Sequence, residues 1–107
     1  MPLTKKFKET IVARAKHDME FRQAILISAI NELLSGDLNV AKSMLRDYIN
    51  ATISFEPLAK KLHKNSKSLQ RMLSTNGNPT SQSLFDIIKF IQLQENIKLE
   101  VHTRSIH

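Results

Sequence analysis

The chain of 107 residues contains no cysteine and no tryptophan, and it has only two glycines and three prolines. Without cysteine it can form no disulfide, no thiolate zinc site and no thiol nucleophile. So few glycines and prolines leave little room for the many tight turns of an all-β fold. The longest apolar-rich run, residues 24–34, is interrupted by polar side chains and is too short to span a bilayer. No apolar segment follows the N-terminal lysines as it does in a signal peptide, so we expect a single-domain protein of the cytoplasm.

Positive charge is concentrated in one part of the chain. The formal net charge is +6, and the segment 57–85 alone carries five basic residues and no acidic one. Residues 1–17 have a net charge of +4, whereas residues 18–56 have −3 and residues 86–107 are neutral. This distribution favours an anionic partner that binds at 57–85, such as double-stranded DNA.

Helical periodicity extends over the first fifty residues and predicts three helices, at about 4–16, 18–35 and 38–50. Asp18 and Asp37 are placed to cap the second and third helices, and Gly36 suits a left-handed end between them. The first two helices would form an N-terminal helical extension over residues 1–36.

Residues 55–74 have the pattern of a helix-turn-helix, in which two short helices are joined by a polar turn. Ser54 is placed to cap the first helix and Asn65 the second, and Pro57 lies in a first turn, where its missing N–H is not needed. Each helix has one apolar side that can be buried, made by Leu58, Ala59, Leu62, Leu69, Met72 and Leu73.

The outward side of the same two helices carries eight candidate DNA-binding residues: Lys60, Lys61, Lys64, Asn65, Ser66, Lys67, Gln70 and Arg71. We assign the lysines of the first helix and the turn to phosphates, which set the register on DNA. Lys67, Gln70 and Arg71 are candidates for base edges, because Arg and Lys can donate twice to guanine and Gln can pair with adenine. Ser66 is a weaker candidate, since a backbone role explains it equally well. The alternative for the whole set is a pair of surface helices with a solvated face.

The C-terminal third begins with a loop at 75–79, after which Thr80 or Ser81 can cap a final helix. Its apolar residues are expected to be mostly buried: Leu84, Phe85, Ile87, Ile88, Ile91 and Leu93. Apolar and polar residues then alternate over 96–102, which predicts a short half-buried β-strand. A lone strand must find a pairing partner, and a second copy of the chain is a plausible one. A homodimer would also present two helix-turn-helix units to a two-fold operator.

Motifs for catalysis or for a cofactor are missing from the sequence. The four histidines show no metal-ligand spacing, and no serine lies in a nucleophile-elbow or SxxK context. We therefore expect no enzyme activity, no cofactor and no metal. A membrane surface would require a larger apolar face than the basic N-terminal helix offers. RNA recognition usually requires aromatic platforms, whereas the aromatic residues here fall at core positions.

Seven segments together resemble one bacterial family: LTKKFKETI, DMEFRQAIL, LLSGD, LRDYINATISFEPLA, KSLQRML, NGNPTSQSLFDIIKFI and IKLEV. Over most of its length the chain is similar to the small helix-turn-helix regulators of the phage-repressor (XRE-like) class that serve as antidotes of addiction modules. The resemblance implies that the chain binds a small toxin protein encoded beside it and represses the shared promoter. His63 stands where the repressor-type turn more often carries glycine, which predicts a less strained turn or a first helix that is longer by one residue.

These features predict one all-α domain over residues 1–107, with a phage-repressor-like helix-turn-helix and a short C-terminal β-strand. The predicted function is sequence-specific DNA binding as a transcriptional repressor, the antitoxin of a type II toxin–antitoxin pair. Two alternatives are a protein-binding module that neutralises a toxin with little DNA binding, and a stand-alone repressor. The acid-free segment 57–85 favours DNA binding over the first alternative, and the neighbouring gene would distinguish the second.

Overall fold

A computed structural model describes residues 5–106 of the chain. Over this range the fold is all-α and has six helices: α1 (Lys5–His17), α2 (Met19–Leu34), α3 (Leu38–Ala51), α4 (Phe55–Lys61), α5 (Ser66–Met72) and α6 (Ser81–Glu95). The predicted all-α class is confirmed. The predicted start of the first helix at residue 4 lies outside the described residues. No helix in the described part of the chain is long and apolar enough to cross a membrane.

The starts of α2, α3 and α6 and the end of α2 follow the capping residues that the sequence indicated. Asp18 and Asp37 each accept a hydrogen bond from the backbone N–H three residues later, as does Thr80 at the start of α6. Gly36 has a φ of 87°, and Asp37 N donates to Glu32 O, which closes α2 with the left-handed turn that glycine adopts most easily. These predicted boundaries are confirmed.

The five helices α2 to α6 share one hydrophobic core. Its fully enclosed side chains come from α2, α3, α4, α5 and α6, and they include Leu26, Leu45, Tyr48, Ile49, Leu58, Leu69, Leu73 and Ile87. The apolar sides predicted for the two helices of the helix-turn-helix therefore face this core. Phe85 and Leu93 of α6 were expected to be mostly buried, but they are 67% and 71% exposed. The reason is that α6 buries the side that carries Ile87 and Ile91, and both residues lie away from that side.

The predicted C-terminal β-strand is not formed within the described residues. Asn96 ends α6 in the left-handed conformation, with a φ of 55°, and the chain from 97 to 106 then has no ladder hydrogen bond. Ile97 and Leu99 instead pack against the helical core, and Leu99 N donates to the Gln92 side chain at 2.9 Å. Two of the three apolar residues in the alternating pattern, Ile97 and Leu99, therefore contact α-helices of the same chain.

Two polar clusters connect the helices across the core. Arg22 of α2 and Tyr48 of α3 both donate to the Glu95 carboxylate at the end of α6, at 2.7 and 2.5 Å. At a second place on α3, Lys8 of α1 donates to Ser43 at 2.9 Å and forms an ion pair with Asp47 at 2.8 Å. The first cluster fixes α6 against α2 and α3, and the second fixes α1 against α3.

The first cluster has clear electrostatic consequences. Burial opposes ionisation of Glu95, but hydrogen bonds from Arg22 and Tyr48 outweigh it and lower the pKa of this carboxyl below its usual 4.5. Burial, together with the hydrogen bond to Glu95, raises the pKa of the Tyr48 phenol. The hydrogen bond to Glu95 also raises the pKa of Arg22. At neutral pH the cluster therefore contains one anion, one cation and a neutral phenol.

Candidate nucleic-acid interface

The turn between α4 and α5 has a well-defined geometry that depends on a left-handed histidine. Helix α4 ends at Lys61, and His63 N donates to Lys60 O while Lys64 N donates to Ala59 O. These two bonds form a Schellman motif, and His63 has the positive φ of 55° that the motif requires. The prediction of a less strained turn or a longer first helix is therefore wrong. His63 adopts the conformation that glycine would adopt, although its side chain disfavours it.

Ser54 precedes α4 but does not cap it with its side chain. Its φ is 73°, and no cap hydrogen bond involves its hydroxyl. Its backbone N–H instead donates to Ile49 O at 2.8 Å, so the residue serves the end of α3. The capping role predicted for the Ser54 side chain is wrong, because an N-cap residue typically has an extended backbone with a negative φ, whereas Ser54 has a positive one.

The predicted DNA-binding residues lie together on the outer side of α4, the turn and α5. Seven of the eight are exposed: Lys60, Lys61, Lys64, Asn65, Lys67, Gln70 and Arg71. Ser66 is half-buried. We call the exposed side chains of the five cations in this group the basic face. Within residues 5–106, none of these five cations belongs to an ion pair.

Three of the predicted contact residues already have hydrogen-bond partners in the chain itself. Asn65 Oδ1 accepts from Ser68 N at 3.1 Å, which confirms its capping role at α5. Gln70 Nε2 donates to Ser66 Oγ at 3.2 Å, one turn back along the same helix. Asn65 is thus fixed in a structural role, whereas Gln70 retains its amide oxygen as an acceptor.

Two cations of α3 hold the end of α5 and the loop that follows it, and sequence reasoning did not single them out. Arg46 donates to Leu73 O at 2.8 Å, and Lys42 donates to Gly77 O at 2.7 Å and to Thr75 O at 3.3 Å. Lys42 is only 2% exposed. A cation at a helix C-terminus satisfies its last carbonyl oxygens and interacts favourably with the helix dipole. The signal in the sequence was the position of Lys42, three and seven residues before Leu45 and Ile49 on a buried side of α3.

Gly77 brings the following loop against the last turn of α5. A Cβ atom at this residue would lie 2.2 Å from Arg71 O and 2.3 Å from Met72 O, both of them backbone atoms. Only glycine permits this approach without a backbone shift. The pose of α5 is therefore set by its apolar side, by two cations of α3 and by the loop that follows it.

A second surface feature is an apolar groove between α1, α2 and α3. Its volume is about 540 Å³, and its walls include Ile11, Phe21, Ile25, Val40 and Met44. The Lys8–Asp47 ion pair lies at its edge. This groove is distinct from the basic face, since its lining residues belong to other helices.

No group of His, Asp and Glu side chains in the described part of the chain could hold a metal ion. No family model matches the chain, and no curated protein or solved structure is significantly similar to it. The family resemblance noted in the sequence therefore remains a prediction.

Proposed function

We propose that the protein is a sequence-specific DNA-binding transcriptional regulator that acts in the cytoplasm. In this proposal α4 and the turn contact phosphates, and α5 enters the major groove of double-stranded DNA. The narrower role, suggested by the family resemblance, is that of an antitoxin that binds a small toxin and represses its own promoter as a homodimer.

The observation that carries the proposal is the basic face. Five cations are exposed on two consecutive helices and the turn between them, and no ion pair within residues 5–106 neutralises them. Unpaired cations on one surface repel one another and are most easily explained by an anionic partner. The helix-turn-helix arrangement favours DNA as that partner, because a short helix with a buried side and a polar side fits the major groove.

The exposed residues divide into two groups by position. Lys60, Lys61 and Lys64 lie at the end of α4 and in the turn, where phosphate contacts are expected. Lys67, Gln70 and Arg71 project from α5, where base edges are within reach of a docked helix. To pair with adenine in two places, Gln70 would have to release its hydrogen bond to Ser66.

The first test is binding of the purified protein to its own upstream DNA and to a scrambled duplex over a series of salt concentrations. We expect tighter binding to the upstream DNA and a steep decrease in affinity with salt, because phosphate contacts release counterions. Equal and weak binding to both duplexes would contradict the proposal and leave the basic face without a specific DNA function.

Single substitutions then separate the two groups of residues. We expect Arg71→Ala to weaken binding to the cognate duplex by about 1–3 kcal/mol and to relax specificity at one position. We expect Lys64→Ala to weaken all duplexes alike and to lower the salt dependence. Lys89→Ala is the matched control, since this exposed lysine lies on α6 outside the basic face. An equal loss for cognate and scrambled DNA in Arg71→Ala would contradict the assignment of base contact.

The apolar groove supports a second candidate function, a module that neutralises a toxin by protein contact alone. A groove with apolar walls and a charged edge is a suitable place for a partner helix. Val40→Lys would place a charge in this groove at a residue that is already exposed, so the fold is expected to be retained. Loss of binding to the product of the neighbouring gene, with unchanged DNA binding, would assign toxin contact to the groove. A chain that binds this product but no DNA would favour the second candidate over the first.

A further inference from the structure

The C-terminal segment after α6 leaves an unusual backbone edge exposed. From Ile97 to Arg104 the chain runs without a turn or a bend. Ile97 N donates to Gln92 O and Leu99 N to the Gln92 side chain, so both N–H groups face the protein's own α6. Successive N–H groups of an extended chain point to opposite sides. Those of Lys98 and Glu100 therefore point outward, and neither has a hydrogen-bond partner within residues 5–106.

The side chains of this segment divide in the same regular way. Ile97 and Leu99 pack against the core, whereas Lys98 and Glu100 are exposed. Val101 lies beyond the core and is 75% exposed. It lines a cleft together with Ile27 and Leu34 of α2, which are 50% and 66% exposed. A strand edge and an apolar surface therefore lie side by side, and neither is covered by the described part of the chain.

We infer that a second copy of this chain pairs with the segment 97–101 in antiparallel orientation, with Leu99 opposite Leu99 at the two-fold axis. In this register Lys98 of each copy lies opposite Glu100 of the other, which gives two oppositely charged cross-strand pairs. Ile97 of each copy lies opposite Val101 of the other. The outward backbone groups of Lys98 and Glu100 then become the hydrogen-bonded positions of the antiparallel pair.

Other registers that use the same backbone edge fit less well. A centre at Lys98 places two lysines opposite each other, and a centre at Glu100 places two carboxylates opposite each other. A centre at Val101 places Lys98 opposite Arg104 of the second copy. Like charges in directly opposed positions are destabilising. A centre at residue 102 places Leu99 opposite a serine. Only the register centred on Leu99 matches both the charges and the apolar residues.

This inference rests on the homodimer in the proposed function, but it does not depend on DNA binding. Its test is sedimentation equilibrium of the full chain without DNA. We expect the wild type to form dimers, and K98E and E100K to weaken the dimer roughly tenfold each, since each variant converts two attractive pairs into repulsive ones. The double variant K98E/E100K restores the attraction with the charges exchanged, so it is expected to dimerise like the wild type. Lys89→Glu makes the same charge change outside the segment and is the control.

Each other outcome overturns a stated part of the inference. A monomeric wild type overturns the homodimer, while selective DNA binding by that monomer would leave the DNA-binding proposal standing. Dimers that are unaffected by either single variant place the interface elsewhere. Weakened single variants without rescue in the double variant exclude the register centred on Leu99.

Cysteine pairs test the register directly, because the natural chain has no thiol. Opposed residues at a hydrogen-bonded position have Cα atoms about 5.5 Å apart, which is within the range of a disulfide. A mixture of Lys98→Cys and Glu100→Cys chains is therefore expected to form a mixed disulfide dimer under mild oxidation. In either variant alone the two cysteines occupy diagonal positions about 7–8 Å apart, which is beyond the usual Cα separation of a disulfide, so it is expected to cross-link poorly. Efficient cross-linking of either variant alone would overturn the register.

Discussion

Charged residues serve opposite purposes in two regions of the molecule. In the scaffold, which we define as α1, α2, α3 and α6, two cations are paired with anions on neighbouring helices, in Lys8–Asp47 and Arg22–Glu95. On the basic face of α4 and α5, five cations have no acidic partner within the described residues. The scaffold uses charge to fix helices against one another, whereas the basic face leaves its charge available to an external anion.

This difference separates the determinants of stability from those of binding. Removing one partner of a partly buried ion pair with additional hydrogen bonds lowers the free energy of unfolding, because the other partner is left desolvated and unsatisfied. Exposed cations without partners contribute little to stability. The same substitution is therefore expected to have different effects in the two regions.

The largest effect is expected where the two regions meet, at Gly77. In Gly77→Ala the added Cβ would overlap backbone oxygens of α5, and neither backbone can move aside easily. We expect a loss of about 3 kcal/mol in the free energy of unfolding, measured by urea denaturation. Gly36→Ala is the control, since its Cβ would meet no atom within 4 Å and only the positive φ disfavours it. Equal losses in the two variants would contradict the close packing of the loop on α5.

The second largest effect on the free energy of unfolding is expected from removal of the Glu95 charge, which is paired with Arg22. We expect Glu95→Gln to lower the free energy of unfolding by about 2 kcal/mol at pH 7, because hydrogen bonds to a charged group are lost. The pKa of Glu95 is lowered in the folded chain, so its ionisation stabilises the fold above pH 4.5, and this contribution is lost as the pH falls through the lowered value. The difference between wild type and variant is therefore expected to shrink in acid. Glu9→Gln, at an exposed acid of α1, is the control.

The two regions can be compared directly with one substitution in each. Lys8→Ala removes an ion pair and a hydrogen bond to Ser43, and we expect it to lower the free energy of unfolding by about 1 kcal/mol. Lys67→Ala removes an exposed cation of the basic face, and we expect a change within about 0.5 kcal/mol. Thermal unfolding of both variants tests the contrast. A large loss in the free energy of unfolding of Lys67→Ala would mean that the basic face also stabilises the fold.

The smallest effect on the free energy of unfolding is expected for His63→Gly, which should stabilise the fold. A left-handed backbone disfavours a residue with a Cβ by about 1–2 kcal/mol, so replacing such a residue by glycine removes this penalty. The greater freedom of glycine in the unfolded chain offsets part of the stability that is gained. We therefore expect His63→Gly to raise the free energy of unfolding by about 0.5 kcal/mol. Asn96→Gly is the comparison, because asparagine tolerates the left-handed conformation better and its replacement is expected to gain less. A destabilised His63→Gly variant would indicate that the imidazole makes a favourable contribution that exceeds the strain.

Local patterns predicted most of the fold. Caps at Asp18, Asp37, Asn65 and Thr80, and the left-handed Gly36, depend on neighbours within a few residues, so the sequence indicates them directly. The apolar sides of the two helix-turn-helix helices follow from the same kind of short-range periodicity.

The errors at Ser54 and His63 are local, since the sequence did not indicate the positive φ of either residue. The other errors involve contacts between residues that are distant in the chain. Ile97 and Leu99 alternate with polar residues as a strand would, but their partners are core side chains of helices. Phe85 and Leu93 are as apolar as their buried neighbours, and only the packing of α6 determines which side of it is covered. The link from Lys42 to Gly77 spans 35 residues, and no periodicity connects its two ends.

The hydrogen bonds from α3 to α5 and its loop have a consequence for the proposed DNA recognition. Arg46 and Lys42 hold α5 and its loop through backbone carbonyl oxygens, which are the same whatever side chains those segments carry. The outward residues of α5 can therefore be exchanged without altering its anchorage. Under the proposed function, substitutions at a few exposed positions of α5 could change the DNA sequence that is bound, while the helices that hold α5 stay the same. Recognition can then diversify while the fold is conserved.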